Sequence, residues 1–374
     1  MISSISCSHR TFTGVLMALL LCAGCAAPKE TLYVPKETGA IKYRVAIYPI
    51  ENLSGGKAPL KELRQSLMEK VKTAGFDVIT DKSLISFMAR HRIRYVGGID
   101  TDSAAAIAGE ERVDAVLVTS LEYYTDSFPP KIAVTARLVA TKGEPEILWM
   151  ESAALSGDDA PGAFEIGLIR DGRELSDKAL SRLVNSLSAG YSVSFKRVAS
   201  GMPEKEFPPR LFFRSDLAPN KEFRVVVLPF YNRSGRKYAG EIMTLHFIQE
   251  LRRLDNFRIV EPGVVRHQLL MFRLIMEGGV SFAQSDIVFD TIESNLLITG
   301  LVDTYLDAQG ESGIPTVNFF ATALDKENRT VVLSSSSYNA GDERVVFFDF
   351  GRIRTACGVA LEMIRGIVGR IAKP

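Results

Sequence analysis

Cysteine and histidine are scarce in this chain. Four cysteines occur in 374 residues. Cys7, Cys22 and Cys25 crowd the N-terminus, so only Cys357 belongs to the body of the chain and no disulfide framework can form there. There are four histidines; His91, His246 and His267 lie beyond the N-terminal segment, and no pair has the spacing of a zinc site. Neither sign of charge dominates: 45 Lys and Arg stand against 44 Asp and Glu, a formal net charge of +1. That balance, with no basic stripe, speaks against a nucleic-acid binder. Catalytic motifs are missing too. Ser54-Gly55 and Ser234-Gly235 lack the Gly-x-Ser-x-Gly elbow, and Gly55-Gly56-Lys57 lacks the leading glycine and spacing of a phosphate loop. The acid/base inventory converges on no motif, so no cofactor, no metal and no enzymatic activity are expected. A hydrolase whose carboxylates meet only on folding stays open.

What is present is ordinary globular material, 46% hydrophobic and 24% charged. It suffices for two cores of roughly 150 residues each. Before them, Arg10 supplies a thin positive region and Thr11 to Leu21 an apolar run shorter than the ~20 residues of a spanning helix, the pattern of a secretory signal. The run ends in Leu21-Cys22-Ala23-Gly24-Cys25, which resembles the bacterial lipobox, except that Cys22 stands where Leu is usual. The resemblance implies cleavage after residue 24 and a lipid anchor on Cys25. Two acyl chains would anchor the chain stably. Residues 25–40, with Pro28 and Pro35, then read as a tether whose full extension is on the order of 50 Å. Ala26 after the anchor resembles the sorting pattern of outer-membrane lipoproteins facing the periplasm.

The most informative feature is an echo. Pro49-Ile50-Glu51-Asn52-Leu53-Ser54-Gly55 returns as Pro229-Phe230-Tyr231-Asn232-Arg233-Ser234-Gly235. Phe76-Asp77-Val78-Ile79 is answered by Phe257-Arg258-Ile259-Val260, Gly97-Gly98-Ile99 by Gly278-Gly279-Val280, and Tyr124 with Asp126 by Tyr305 with Asp307. A repeat this long is a whole domain rather than a solenoid unit. The expected organisation is domain 1 at 41–200, a Pro-rich semi-rigid linker at 201–220, and domain 2 at 221–374.

Each copy opens with an apolar strand stopped by proline (Tyr43 to Pro49, Phe223 to Pro229). A helix follows, with apolar residues at helical spacing (Leu60, Leu63, Leu67, Val71; Ile242, Leu245, Ile248, Leu251), ended by Gly75 or Asn256 as C-cap. A short strand, two helices, a buried strand from Ala115 or Leu296, an antiparallel hairpin and a closing helix (Leu175 to Leu187, Arg352 to Ile371) complete the copy. The order β-α-β-α-α-β-β-β-α predicts an α/β fold: two tandem copies of a mixed-sheet three-layer domain with helices on both faces.

With that strand, the Pro-x-x-Asn-x-Ser-Gly turn and the later Val113-Asp114-Ala115-Val116-Leu117-Val118 strand, each copy resembles the amino-terminal domain of TolB. It is similar also to the periplasmic domains of the curli-secretion lipoprotein and of the lipoprotein activator of penicillin-binding proteins. The resemblance implies a non-enzymatic scaffold or regulatory binding module in cell-envelope assembly, working on an envelope protein partner. The alternative is an oligomeric secretion-channel component. No β-propeller follows as in TolB, and alternating segments such as Lys131 to Val139 fit a domain sheet without appeal to lipid.

Candidate binding loops are the paired turns, Asn52, Ser54 and Gly55 with Asn232, Ser234 and Gly235. Asn and Ser there are also the residues that hold a turn through side-chain bonds. A candidate partner surface is the aromatic run with Phe207, Leu211, Phe212 and Phe213, which either docks on a partner or packs between the domains. Val345 to Phe350 poses the same choice. The basic run Arg90 to Tyr95 either meets an anionic surface or complements a helix end.

Overall fold

A computed structural model describes residues 43–159, 167–192, 207–215, 217, 221–274, 282–307, 309–310, 312–343, 345 and 351–372. The expected signal, Cys25 and the tether lie outside these residues, as do 346–350, most of 193–220 and the pair Gly278-Gly279.

The first sheet is built from β1 (Arg44–Ile47), β2 (Glu51–Asn52), β3 (Asp77–Val78), β4 (Ala115–Thr125), β5 (Lys131–Ala140) and β6 (Ile147–Ser156). Strand order is β3-β1-β4-β5-β6, with β2 beside β4. The pairs among β1, β3 and β4 are parallel, whereas β4-β5-β6 is an antiparallel meander, so the sheet is mixed. Helices α1 (Leu60–Thr73), α2 (Asp81–Arg90), α3 (Thr101–Glu111) and α4 (Gly172–Ser192) cover it. Leu63, Leu67 and Val71 of α1 pack with Leu180 and Leu183 of α4 on the sheet face bearing Val45, Ile47 and Leu117. Leu84 and Phe87 of α2 and Ile107 of α3 cover the opposite face, at Ala46, Val116 and Val118. β1 is thus covered on both sides, as its continuous apolar run requires.

The second sheet has the same plan. β8 (Phe223–Val227), β9 (Tyr231–Asn232), β10 (Phe257–Ile259), β11 (Leu296–Leu306), β12 (Thr316–Asp325) and β13 (Thr330–Ala340) run in the order β10-β8-β11-β12-β13 with β9 beside β11. Its helices are α5 (Ala239–Leu251), α6 (Pro262–Met271), α7 (Phe282–Thr291) and α8 (Ala356–Ala372). The α/β class with two mixed sheets is therefore the observed architecture. Residues 41–374 form one compact unit that includes both sheets.

Three details depart from the sequence reading. Asn256 does not cap α5, which ends at Leu251 with Arg252 still right-handed; its amide instead bonds Lys221 O at 3.0 Å. Gly75 does follow α1 with φ +96°, and Phe76 N–H returns to Val71 O, a left-handed exit that a side chain resists. The segment read wholly as linker contains β7 (Leu211–Arg214), which pairs antiparallel with β13 and extends the second sheet. Proline spacing suggested extended chain, and an available edge strand turned extended chain into a strand. The last helix begins at Ala356 rather than Arg352.

Candidate functional site at the junction of the two halves

Past Glu241, helix α5 has no solvent-facing side: every residue from Ile242 to Leu251 is buried. One face lies on the second sheet, with Ile242, Met243 and Phe247 in its core. The other lies on the first sheet, reaching the part of its second face that α2 and α3 leave uncovered. There, Ser152 Oγ donates to Gln249 Oε1 at 2.5 Å, Arg252 Nη2 donates to Ile147 O at 2.7 Å, and Cys357 and Leu361 of α8 pack on Ala133.

The seam is polar where it is most deeply buried. Glu122 occupies the β-bulge of β4, between Leu121 and Tyr123. Its carboxylate meets His246 Nε2 at 2.8 Å and accepts from Thr135 Oγ1 at 2.5 Å, and Cys357 Sγ lies 3.5 Å from the same imidazole nitrogen. Burial alone would raise the Glu122 carboxyl, but His246 and the hydrogen bonds it receives outweigh this and hold it low. Burial and the Glu122 charge push the Cys357 thiol well up, so it is no thiolate nucleophile. These three are a grouping of metal-type donors within 4.8 Å. Their facing atoms already bond to one another, which makes them a latch between the halves.

A second latch lies beyond it. Arg137 of β5, 1% exposed, donates to both oxygens of Glu261 at 2.9 and 3.0 Å and to Gly97 O at 2.6 Å. Glu261 also caps α6, accepting from Gly263 N–H at 3.4 Å. Backbones touch here: a Cβ on Gly98 would lie 2.7 Å from Gly263 N, and one on Gly263 would lie 2.3 Å from Ile99 N. The Gly97-Gly98 pair, read from sequence as a loop, is a place where the backbones of the two halves meet.

The paired turns share the same Asn-centred bonding. Asn52 Oδ1 accepts from Ser54 N–H and Oγ at 3.0 and 2.6 Å, and its Nδ2 donates to Gly56 O. Asn232 repeats this with Ser234 and Arg236 O. These side chains are spent on holding their turns. From the second turn, Arg236 reaches Leu53 O at 3.2 Å and Glu122 O, with Nε on Asp307 at 2.8 Å. The second turn thus docks onto the first half.

Between these contacts lies a cleft of about 340 Å³, at the lower end of small-ligand sites. The first half contributes Glu51, Leu53, Tyr95 and Gly97; the second contributes Val227, Pro229 and Tyr238, with Glu241, Leu245, Val265, Arg266 and Leu269 from α5 and α6. The wall is largely apolar, Glu51 and Glu241 supply carboxylates, and Arg266 stacks 4.2 Å over the Tyr95 ring. Glu51 accepts from Ser120 Oγ at 2.8 Å and lies against Gly97, where a Cβ would come within 2.0 Å of its carboxylate. Burial raises the Glu51 carboxyl, more than Ser120 and Arg137 lower it. Residues flanking the paired turns line this cleft, whereas Asn52, Ser54, Gly55, Asn232, Ser234 and Gly235 stand outside it. A wider groove of about 1130 Å³ beside α1 and α4 is walled by charged residues such as Glu62, Arg173 and Asp177, with Asp177 held by Lys70 at 2.7 Å.

The aromatic run splits. Phe207 is buried in the second core with Phe212 packed against it, while Leu211 and Phe213 are exposed. In the basic run, Arg90 pairs with Glu110 at 2.7 Å and His91 with Glu110 at 2.6 Å. Sequence reasoning missed Arg137, Glu261, Glu51 and Glu241; apart from the charge of Arg137 inside an apolar strand, nothing local marks them.

No protein-family model matches the chain, and no curated protein resembles it in sequence. Solved structures that resemble it include the PelC dodecamer of Paraburkholderia phytofirmans, 16% identical over 43% of this chain and 94% of that one, with a TM-score of 0.30. Lipoprotein GNA1162 of Neisseria meningitidis is 16% identical over 38% and 98%, TM-score 0.29. The LpoB C-terminal domain of Escherichia coli is 17% identical over 32% and 87%, TM-score 0.26.

Proposed function

We propose that this chain is a non-enzymatic, lipid-anchored periplasmic binding module of the outer membrane, whose duplicated halves build one recognition cleft. The observation that carries the reading is the cleft itself, walled by residues of both halves where two buried latches join them. Its chemistry suits a protein partner that inserts an apolar side chain and brings a cation to Glu51 and Glu241. The N-terminal lipobox-like run supports attachment at Cys25.

The test is capture from crosslinked envelopes by the intact lipoprotein, with the product sized in detergent. Wild type should recover one dominant foreign protein, and Glu241→Arg, an exposed change on the cleft wall, should lose it. Retention by that variant would dismiss the cleft, and a large self-assembled ring would make the chain a channel component instead. Cys25→Ala should move the protein from membranes to the soluble periplasm.

A second reading, an envelope hydrolase, rests on Glu51 and Glu241 sharing one cleft. It requires Glu51→Gln to keep partner capture while abolishing release of product from envelope material.

A further inference from the structure

The second sheet has a face equivalent to the one that α5 and α8 cover on the first. Thr135 and Ser152, paired across β5 and β6, correspond to Phe320 and Ser336, paired across β12 and β13; Ala133 and Ala154 correspond likewise to Asn318 and Tyr338. Glu122 in the bulge of β4 corresponds to Asp303 in the bulge of β11. On the first sheet Ala133, Thr135, Ser152 and Glu122 are buried and Ala154 is partly so. On the second, Phe320 is 41% exposed, and β7 widens the face with Phe213 and Leu211, 52% and 71% exposed, opposite Ser334 and Ser336.

The layers therefore alternate: α1 with α4, first sheet, α5 with α8 beside α2 and α3, second sheet, whose outer face α6 and α7 cover at Val226, Leu297 and Leu324. Among the described residues the stack is closed at one end and, beside α6 and α7, open at the other, where Phe320, Phe213 and Leu211 are exposed. At the closed end, the outward residues are charged, among them Lys61, Glu62, Lys72, Glu174 and Lys178, a solvated surface. At the open end stand Phe320, Phe213 and Leu211 beside Ser334 and Ser336, with Asn318 and Tyr338 next to them, as Ala133, Thr135 and Ser152 stand on the face of the first sheet that receives α5 and α8.

We infer that the open face of β11, β12, β13 and β7 docks an amphipathic helix of another protein, laid across it as α5 and α8 lie across the first sheet. A second copy of this chain does not supply that helix: its corresponding layer, α1 with α4, would bring charged side chains onto Phe320 and Leu211, at a desolvation cost those contacts do not offset. This surface is separate from the cleft, so either can fail without the other.

The probe is a synthetic fluorescent peptide of residues 355–372, the α8 helix, titrated against the full-length lipoprotein in detergent and followed by anisotropy. Saturable binding is expected, weakened by about tenfold or more in Phe320→Glu and in Leu211→Glu, and unchanged in Lys61→Glu at the closed end. Melting curves verify that each variant is folded. Absence of saturable binding, or equal binding by wild type and Phe320→Glu, would overturn the inference. So would sedimentation showing that wild type self-associates through this face and that Phe320→Glu abolishes it, because the occupant would then be a second copy.

Discussion

Arg137 places a guanidinium inside the molecule, with Glu261 answering it from the other half at 2.9 Å. Burying such a pair gains little over an apolar one, but removing one member leaves an unpaired buried charge, at about 3–5 kcal/mol. Arg137→Met should therefore lower the urea unfolding free energy by that amount, and Arg137→Met with Glu261→Met should recover much of it. Equal losses in single and double variants would deny the coupling. The charge of Arg137 within Ile132 to Val139 was visible in sequence, and its partner was not. Glu261 lies one residue before a helix-starting proline, where an acidic cap is ordinary; only the fold brings it to β5.

At the scale of elements, the helices and strands were largely legible, because apolar spacing in α1 and α5 and alternation in β5 report the face each buries. The misplaced features were those with a tertiary cause. β7 exists because β13 offers it an edge, and α5 is buried on both sides, with Ile242, Met243 and Phe247 toward the second sheet and the polar His246 and Gln249 toward the first. The approach of Gly97-Gly98 to α6 is of the same kind. Gly98→Ala should cost about 1–3 kcal/mol through overpacking against Gly263. Gly109→Ala on α3, where an added Cβ meets nothing within 4 Å, should instead stabilise by up to about 1 kcal/mol through helix propensity. Thermal melts of the two variants separate packing from backbone entropy; a loss at Gly109 matching that at Gly98 would contradict the close approach.

At the scale of the whole molecule, the halves differ in what they demand of each other. The first sheet depends on α5 and α8 to cover Ala133, Thr135 and Ser152, whereas the second sheet keeps its own helices and borrows little. A fragment of residues 41–192 should therefore expose an apolar face, bind hydrophobic dye and self-associate in sedimentation, and a fragment of residues 207–374 added in trans should suppress both. A monodisperse, dye-silent first fragment would show that α5 and α8 are dispensable to it.

Local periodicity, turn chemistry and the echo of Pro49–Gly55 at Pro229–Gly235 determined the element types, their order, the mixed sheets and the expectation of an exported, duplicated chain. Those signals live in neighbouring residues and survive without a fold. The cleft, the Glu122-His246-Cys357 and Arg137-Glu261 latches, and the contrast between a covered and an open sheet face were decided by tertiary structure alone. Each joins residues more than a hundred positions apart, and the packing of one half on the other, rather than any local preference, selects which of them meet.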